Sequence, residues 1–159
     1  WWTFVGVDPA AEMLQLAARV VGSDMDRVEL VEGYIENAPA GPFDAATCLL
    51  TLHFLDEADR VRTVRQIHDR LRPIAPFVAA HVSFPQGAGE REVWLDRYAA
   101  YPTSMGADPV QVSGAREAVA MSLNTFSPEK DEAVLRECGF SDVNLFYAGL
   151  VWRGWIANA

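Results

Sequence analysis

Cysteine is nearly absent from this 159-residue chain. Its two cysteines, Cys48 and Cys138, lie far apart and form no CxxC spacing. That argues against a disulfide framework and a thiolate zinc site, and suits a reducing compartment. Long apolar runs are missing too, none approaching the roughly 20 residues of a membrane span. The opening Trp1-Trp2-Thr3-Phe4 has neither the basic flank nor the small-residue cleavage site of a signal peptide. Positive charge is scarce: 13 basic residues face 22 acidic ones, a net charge of −9. No Lys/Arg cluster offsets this, so no nucleic acid is expected as a partner. Metal-ligand clusters, a GxSxG elbow and a P-loop lysine are also lacking, which leaves metalloenzyme, hydrolase and kinase readings without support. The expectation is a soluble cytoplasmic protein, its 50% apolar residues sufficient for one core.

What is present alternates between two periods. Trp2 to Val7 is an apolar run of the kind found in strands buried on both faces. Asp8-Pro9 ends it, with Pro9 fitting the first turn of a helix and Asp8 its cap. Met13, Leu14, Leu16, Ala17, Val20 and Val21 then recur at helical spacing up to Gly22. Val28–Val31 is a second strand, Phe43–Leu50 a third buried strand, and Phe77–Val82 a fourth. A helix from about Asp56 to Leu71, stopped by Pro73, separates the last two. Such alternation predicts βαβ units and a parallel sheet covered by helices.

The region Glu90–Leu123 reads as a helical insertion, with helices over Glu92–Tyr101 and Val110–Leu123 parted by Pro102 and the Gly106–Pro109 turn. Ser127-Pro128 starts another helix that ends at Gly139. Val143–Tyr147 and Leu150–Ile156, around Gly149, read as an antiparallel hairpin closing the sheet. With no repeat or low-complexity linker, one domain over residues 1–159 is the simplest organisation.

Ligands of open parallel sheets bind beyond the carboxyl ends of the strands. Asp8 closes a strand there, and its two oxygens match the spacing of a ribose diol; the plainer role is helix capping, and the two can coexist. Tyr34 and Ile35, in the loop after the second strand, could flank a flat purine while backbone amides read its edge. His53, after the third strand, is a candidate general base; packing beside Phe54 with a backbone hydrogen bond is the alternative. His68 is expected at a helix surface, and His81 near the cleft has no identifiable partner. Trp94, Tyr98 and Tyr101 read as core or lid packing rather than a substrate cage.

Val5-Gly6-Val7-Asp8-Pro9, Met13-Leu14, Val31-Glu32-Gly33-Tyr34-Ile35-Glu36, Pro42-Phe43-Asp44, Leu52-His53-Phe54-Leu55 and Leu71-Arg72-Pro73 resemble, in order, the motifs of class I S-adenosylmethionine-dependent methyltransferases. The second half is similar to a narrower subgroup that includes carboxy-S-adenosylmethionine synthase. The similarity lies in Trp94-Leu95, Gly114-Ala115-Arg116-Glu117, Leu135-Arg136-Glu137-Cys138-Gly139-Phe140 and Leu145-Phe146-Tyr147.

The resemblance implies an α/β, Rossmann-like three-layer sandwich, mostly parallel, with the C-terminal antiparallel hairpin. It implies S-adenosyl-L-methionine as cofactor, with Asp8 and Pro9 at the ribose and Tyr34 and Ile35 at the adenine. Leu49 falls where the synthase subgroup has an asparagine on its ligand, a departure that removes those hydrogen bonds. Arg116 falls where that subgroup has an arginine on the ligand's extra carboxylate, a bidentate match for a guanidinium fork; otherwise it is a solvated residue paired to a neighbour. In nucleotide-binding βαβ units the ribose acid follows a glycine-rich loop by about 20 residues. Counted back from Asp8, that loop and its strand fall before Trp1, so the chain is expected to be incomplete at its N-terminus and to bind cofactor weakly or not at all. The activity implied is methyl transfer to a small molecule, with a homodimer open. A cofactor-modifying synthase-like enzyme and a non-catalytic binding or dimerisation module are the rivals.

Overall fold

The computed structural model describes residues 1–159. Its contacts divide the chain into two compact units, Trp1–Pro42 and Phe43–Ala159. No helix is long and apolar enough to cross a membrane.

The first unit is one βαβ turn. Strand β1 (Phe4–Asp8) and strand β2 (Val28–Glu32) pair in parallel, Phe4 opposite Val28 and Asp8 opposite Glu32. Helix α1 (Ala11–Val21) and a 3₁₀ turn (Gly22–Arg27) connect them. The helix begins later than Pro9 suggests. Its cap position is Ala10, and the Asp8 carboxylate accepts the Ala10 N–H at 2.8 Å, holding the turn before the helix rather than capping it. Nor is β1 buried on both faces: it ranges from exposed to half-buried. No residue of this unit is fully buried, and Met13, Leu16 and Val20 along α1 are exposed. Some 40 residues are too few to enclose a core.

The second unit is built on a four-stranded sheet in the order β3-β4-β6-β5. Strand β3 (Ala46–Leu49) runs parallel to β4 (Pro76–Val82); β6 (Trp152–Asn158) is antiparallel to both β4 and β5 (Ser141–Gly149). The third strand is shorter than its apolar run, and Phe43 makes only an isolated bridge to Leu71. It is also half-exposed rather than buried, because it is a sheet edge with one hydrogen-bonded neighbour.

Helix α2 (Glu57–His68) is capped by Asp56, which accepts the Asp59 N–H at 2.8 Å. Helix α5 (Pro128–Glu137) is capped by Ser127 through the Lys130 N–H, with Pro128 at its first position, where no N–H is needed. Between them come α3 (Glu90–Ser104) and α4 (Pro109–Ser122). Helix α3 runs through Pro102 instead of stopping before it. Pro102 lies in the last turn, where its missing N–H removes only one intrahelical bond.

Val64, Ile67, Leu71, Phe77, Ala79, Leu135, Cys138, Phe140 and Trp155 are all buried, with Phe77 stacked on Phe140 at 4.9 Å. Gly139, at φ 108°, turns the chain out of α5; a Cβ there would strike the His68 ring. A second cluster, Val82, Phe84, Leu95, Val119 and Val151, seats α3 and α4, with Trp94, Tyr98 and Trp152 packed against it. Trp94 and Tyr98 are thus packing residues, while Tyr101 is exposed.

Candidate functional site

In the first unit the carboxyl ends of β1 and β2 are tied together: the Gly33 N–H donates to the Asp8 carbonyl at 3.1 Å. Asp8 is half-buried at this lip. Its Oδ1 holds the Ala10 N–H and its Oδ2 meets no protein donor, so one oxygen is fixed in position while the other is free for a ligand. Pro9, beside it, is exposed.

The following loop is shaped by Gly33 at φ 143°, a conformation that L side chains rarely adopt. A Cβ there would collide with the Asn37 side chain, whose Oδ1 accepts the Tyr34 N–H at 3.1 Å. A 3₁₀ turn over Ile35–Asn37 follows. Tyr34 is exposed and Ile35 half-buried, so the loop offers an aromatic and an aliphatic surface beside the free carboxylate oxygen. Together these groups present one unpaired carboxylate oxygen, an aromatic side chain and an aliphatic one.

In the second unit, β3 ends at Leu49, which is exposed. Leu50 is held at φ 60°, a left-handed conformation that costs a non-glycine residue about 1–2 kcal/mol. Its N–H donates to the Ala80 carbonyl at 2.7 Å, and the Thr51 hydroxyl donates back to the Leu49 carbonyl at 3.1 Å. This strained turn delivers the chain into the short 3₁₀ helix Leu52–Phe54 and hence positions His53.

His53 is buried, 3% exposed, and packs on Phe54 with ring centroids 4.5 Å apart. Its Nδ1 accepts the Val82 N–H at 3.1 Å. That bond requires Nδ1 to be unprotonated, so neutral His53 carries its proton on Nε2. Burial lowers its pKa to about 4, and the neighbouring His81 and Arg60 add to the effect while Asp131 opposes it. The packing and the backbone hydrogen bond left open as alternatives to a base are both present.

Behind His53 lies a buried charged group. Arg60 Nη1 donates to Asp131 Oδ1 at 2.7 Å, and Arg60 also donates to the Asn124 and Leu55 carbonyls. Its guanidinium carbon sits 3.7 Å from the centre of the Phe126 ring. His81 Nε2 lies 3.2 Å from the same Asp131 oxygen without the alignment of a hydrogen bond. The acid nearest His81 is thus Asp131 of helix α5, with no hydrogen bond between them.

Arg116 sits on α4, paired with two carboxylates of α3: Glu92 at 2.7 Å and Asp96 at 2.8 Å. Hydrogen bonds from these acids raise its pKa further. His68 ends α2, part-exposed, with its ring edge-on to Phe140 at 5.1 Å.

Residues 1–74 match the family described as methyltransferase domain. The chain is 25% identical over 155 residues to a carboxy-S-adenosyl-L-methionine synthase of Wolinella succinogenes, covering 97% of this chain and 64% of that protein. It is 26% identical over 163 residues to the synthase of that name from Methylococcus capsulatus, covering 98% of this chain and 65% of that one. Among solved structures, an O-methyltransferase family 2 protein from Planctomyces limnophilus, in complex with apigenin, superposes with TM-score 0.67 at 15% identity. That match covers 99% of this chain and 42% of the other. Human N-acetylserotonin methyltransferase in complex with SAM superposes with TM-score 0.62 at 13% identity, covering 98% of this chain and 39% of the other.

The chain thus shares the fold of these methyltransferases, and its residues 1–74 are similar to the methyltransferase domain family. It spans less than two thirds of the length of the curated relatives it matches.

Proposed function

We propose that the chain serves S-adenosylmethionine-dependent methyl transfer to a small molecule. The observation that carries this reading is the Asp8 carboxylate, fixed through Oδ1 and free at Oδ2, beside the Gly33–Asn37 loop. Support comes from the family match over residues 1–74 and from a neighbour solved in complex with SAM. The relatives align across both units in one stretch, which favours a single methyltransferase domain with Glu90–Leu123 as its insertion. Two free cysteines agree with a reducing cytoplasm.

In this reading Asp8 accepts the two ribose hydroxyls, Pro9 stiffens the turn that aims it, and Tyr34 and Ile35 flank the adenine. In the second unit, the cofactor contact proposed is Leu49, an exposed apolar side chain at the end of β3. When bound, S-adenosylmethionine supplies a methyl group already activated by its positive sulfur. The protein's residues then have to orient rather than activate. His53 belongs to that task. Neutral, with its proton on Nε2, it would hold an acceptor oxygen by donating a hydrogen bond, and a role as base would first require giving up the Val82 bond.

Arg116 is the expected substrate contact on the insertion. A ligand's acid would reach it by replacing Asp96 or Glu92. A homodimer would use the free edge of β5, where Leu145, Phe146 and Tyr147 are exposed. The names of the curated relatives favour a second reading, a cofactor-modifying synthase-like enzyme. Mass spectrometry of the product formed from S-adenosylmethionine separates a methylated acceptor from a carboxylated cofactor.

The test of the leading reading is titration of S-adenosylmethionine, to millimolar concentration, followed by amide NMR. Weak binding is expected, since β1 and β3 each leave one edge unpaired. Shifts confined to Asp8–Ala10 and Gly33–Asn37 support it. Their absence at saturating ligand overturns it.

A further inference from the structure

Arg153 stands apart from the other buried charges. It is 9% exposed, yet no carboxylate accompanies it: burial alone lowers its pKa, with no acid acting against the shift. Arg60, the other buried arginine, has Asp131, and even the more exposed Arg116 has two acids. Removing a guanidinium from water without a counter-ion is unfavourable, and the chain carries a surplus of acids from which one could have been supplied.

The geometry says which side of Arg153 is unfilled. Its Nη1 donates to the Leu150 carbonyl at 2.6 Å and to the Trp152 carbonyl at 2.8 Å, clamping the turn between β5 and β6. Nε and Nη2 make no hydrogen bond to the protein, and neither is sealed from solvent. These two N–H groups form the side of the fork that takes a carboxylate bidentately. A second arginine packs on the same Trp94 ring. The guanidinium carbon of Arg153 lies 5.3 Å from the centre of the Trp94 ring and that of Arg97 lies 4.8 Å from it. Arg97 is exposed and has no ion-pair partner either. Two uncompensated guanidiniums meet one indole, which attracts both through its π face, at the base of helix α3 and next to the Val82–Phe84–Leu95–Val151 cluster.

We propose that Arg153, with Arg97 and Trp94, forms a binding site for the acid group of a small organic anion. This deepens the functional reading by naming the substrate class as an acceptor bearing a carboxylate, or a phosphate in its place. Arg153 would make the bidentate contact, and Arg97 would add long-range attraction from the rim. The turn carbonyls hold the guanidinium in place before any ligand arrives.

The test uses benzoate, its neutral counterpart benzamide and inorganic phosphate, titrated calorimetrically into the 159-residue protein. Benzoate is expected to bind at least tenfold more tightly than benzamide. Arg153→Met should abolish that preference, Arg153→Lys should weaken it several-fold, and Arg97→Met should weaken it about threefold. Arg62→Met, which removes one positive charge from an exposed pair with Asp59, serves as the charge control and should change nothing. Phosphate binding more tightly than benzoate, with the same sensitivity to Arg153, supports the site and assigns it to phosphorylated acceptors. Benzoate binding no better than benzamide, or an unchanged preference in both Arg153→Lys and Arg97→Met, overturns the proposal. Those two variants decide the matter even if Arg153→Met fails to fold. None of the probes contains adenosine, so the result is independent of whether S-adenosylmethionine binds.

Discussion

His53 Nδ1 accepts the backbone N–H of Val82 at 3.1 Å, and through that bond the imidazole is held neutral with its proton on Nε2. Burial depresses its pKa to about 4, whereas the unfolded chain has an ordinary histidine near 6.5. The sign follows. Below pH 6.5 the unfolded state takes up a proton that the folded state refuses, so His53 costs stability as pH falls from 6.5 to 4. The full loss is about 3 kcal/mol. Urea midpoints measured between pH 7 and 4 should show this decline. His53→Asn, whose side-chain oxygen can still accept the Val82 N–H, should flatten it. Nitrogen NMR of the imidazole should report the Nε2–H tautomer down to pH 5.

The Arg60–Asp131 pair is the most buried ionic contact in the second unit, its side chains 0% and 3% exposed. Losing one partner strands the other charge. Arg60→Met or Asp131→Asn alone should therefore destabilise by about 3–5 kcal/mol. The double variant should lose less than the sum of the two, because neither charge is then left alone. Denaturant unfolding of the four proteins in the cycle reads the coupling directly.

Gly33→Ala tests the loop after β2. The new methyl meets the Asn37 side chain and occupies a backbone conformation open chiefly to glycine. Adenosine-dependent shifts at Gly33–Asn37 should fall by tenfold or more in affinity. Circular dichroism of the second unit's sheet should stay the same.

Most of the fold was legible in the sequence because its elements are bounded by strong local signals. Ser127-Pro128 starts its helix as expected, Asp56 stands at the expected start of α2, and Gly149 lies at the turn of the hairpin. Boundaries failed where tertiary context acts. Pro102 is tolerated in a last helical turn, Phe43 does not join β3, and the apolar runs of β1 and β3 are half-exposed because each strand has only one paired edge.

The buried ionic cluster was missed, although a trace of it existed. Arg60 shares the helical stripe of Val64, Ile67 and Leu71, and Asp131 that of Val134, Leu135 and Cys138, so each charge stands on a core-facing side of its helix. Their pairing spans 71 residues and could not be read from spacing alone. Nor could the lack of an acid at Arg153, a strand residue against which Trp94 of helix α3 packs.

At the centre of the account is one carboxylate offered to a sugar diol. The direct measurement is calorimetric binding of adenosine and of 2′,3′-dideoxyadenosine to the native protein and to Asp8→Ala. Adenosine should bind at least tenfold more tightly than the dideoxy analogue, reflecting about 1.5–3 kcal/mol for hydrogen bonds to a charged acceptor. The preference should vanish in Asp8→Ala. Equal affinity for the two nucleosides in the native protein, or a preference that survives the loss of Asp8, would contradict it.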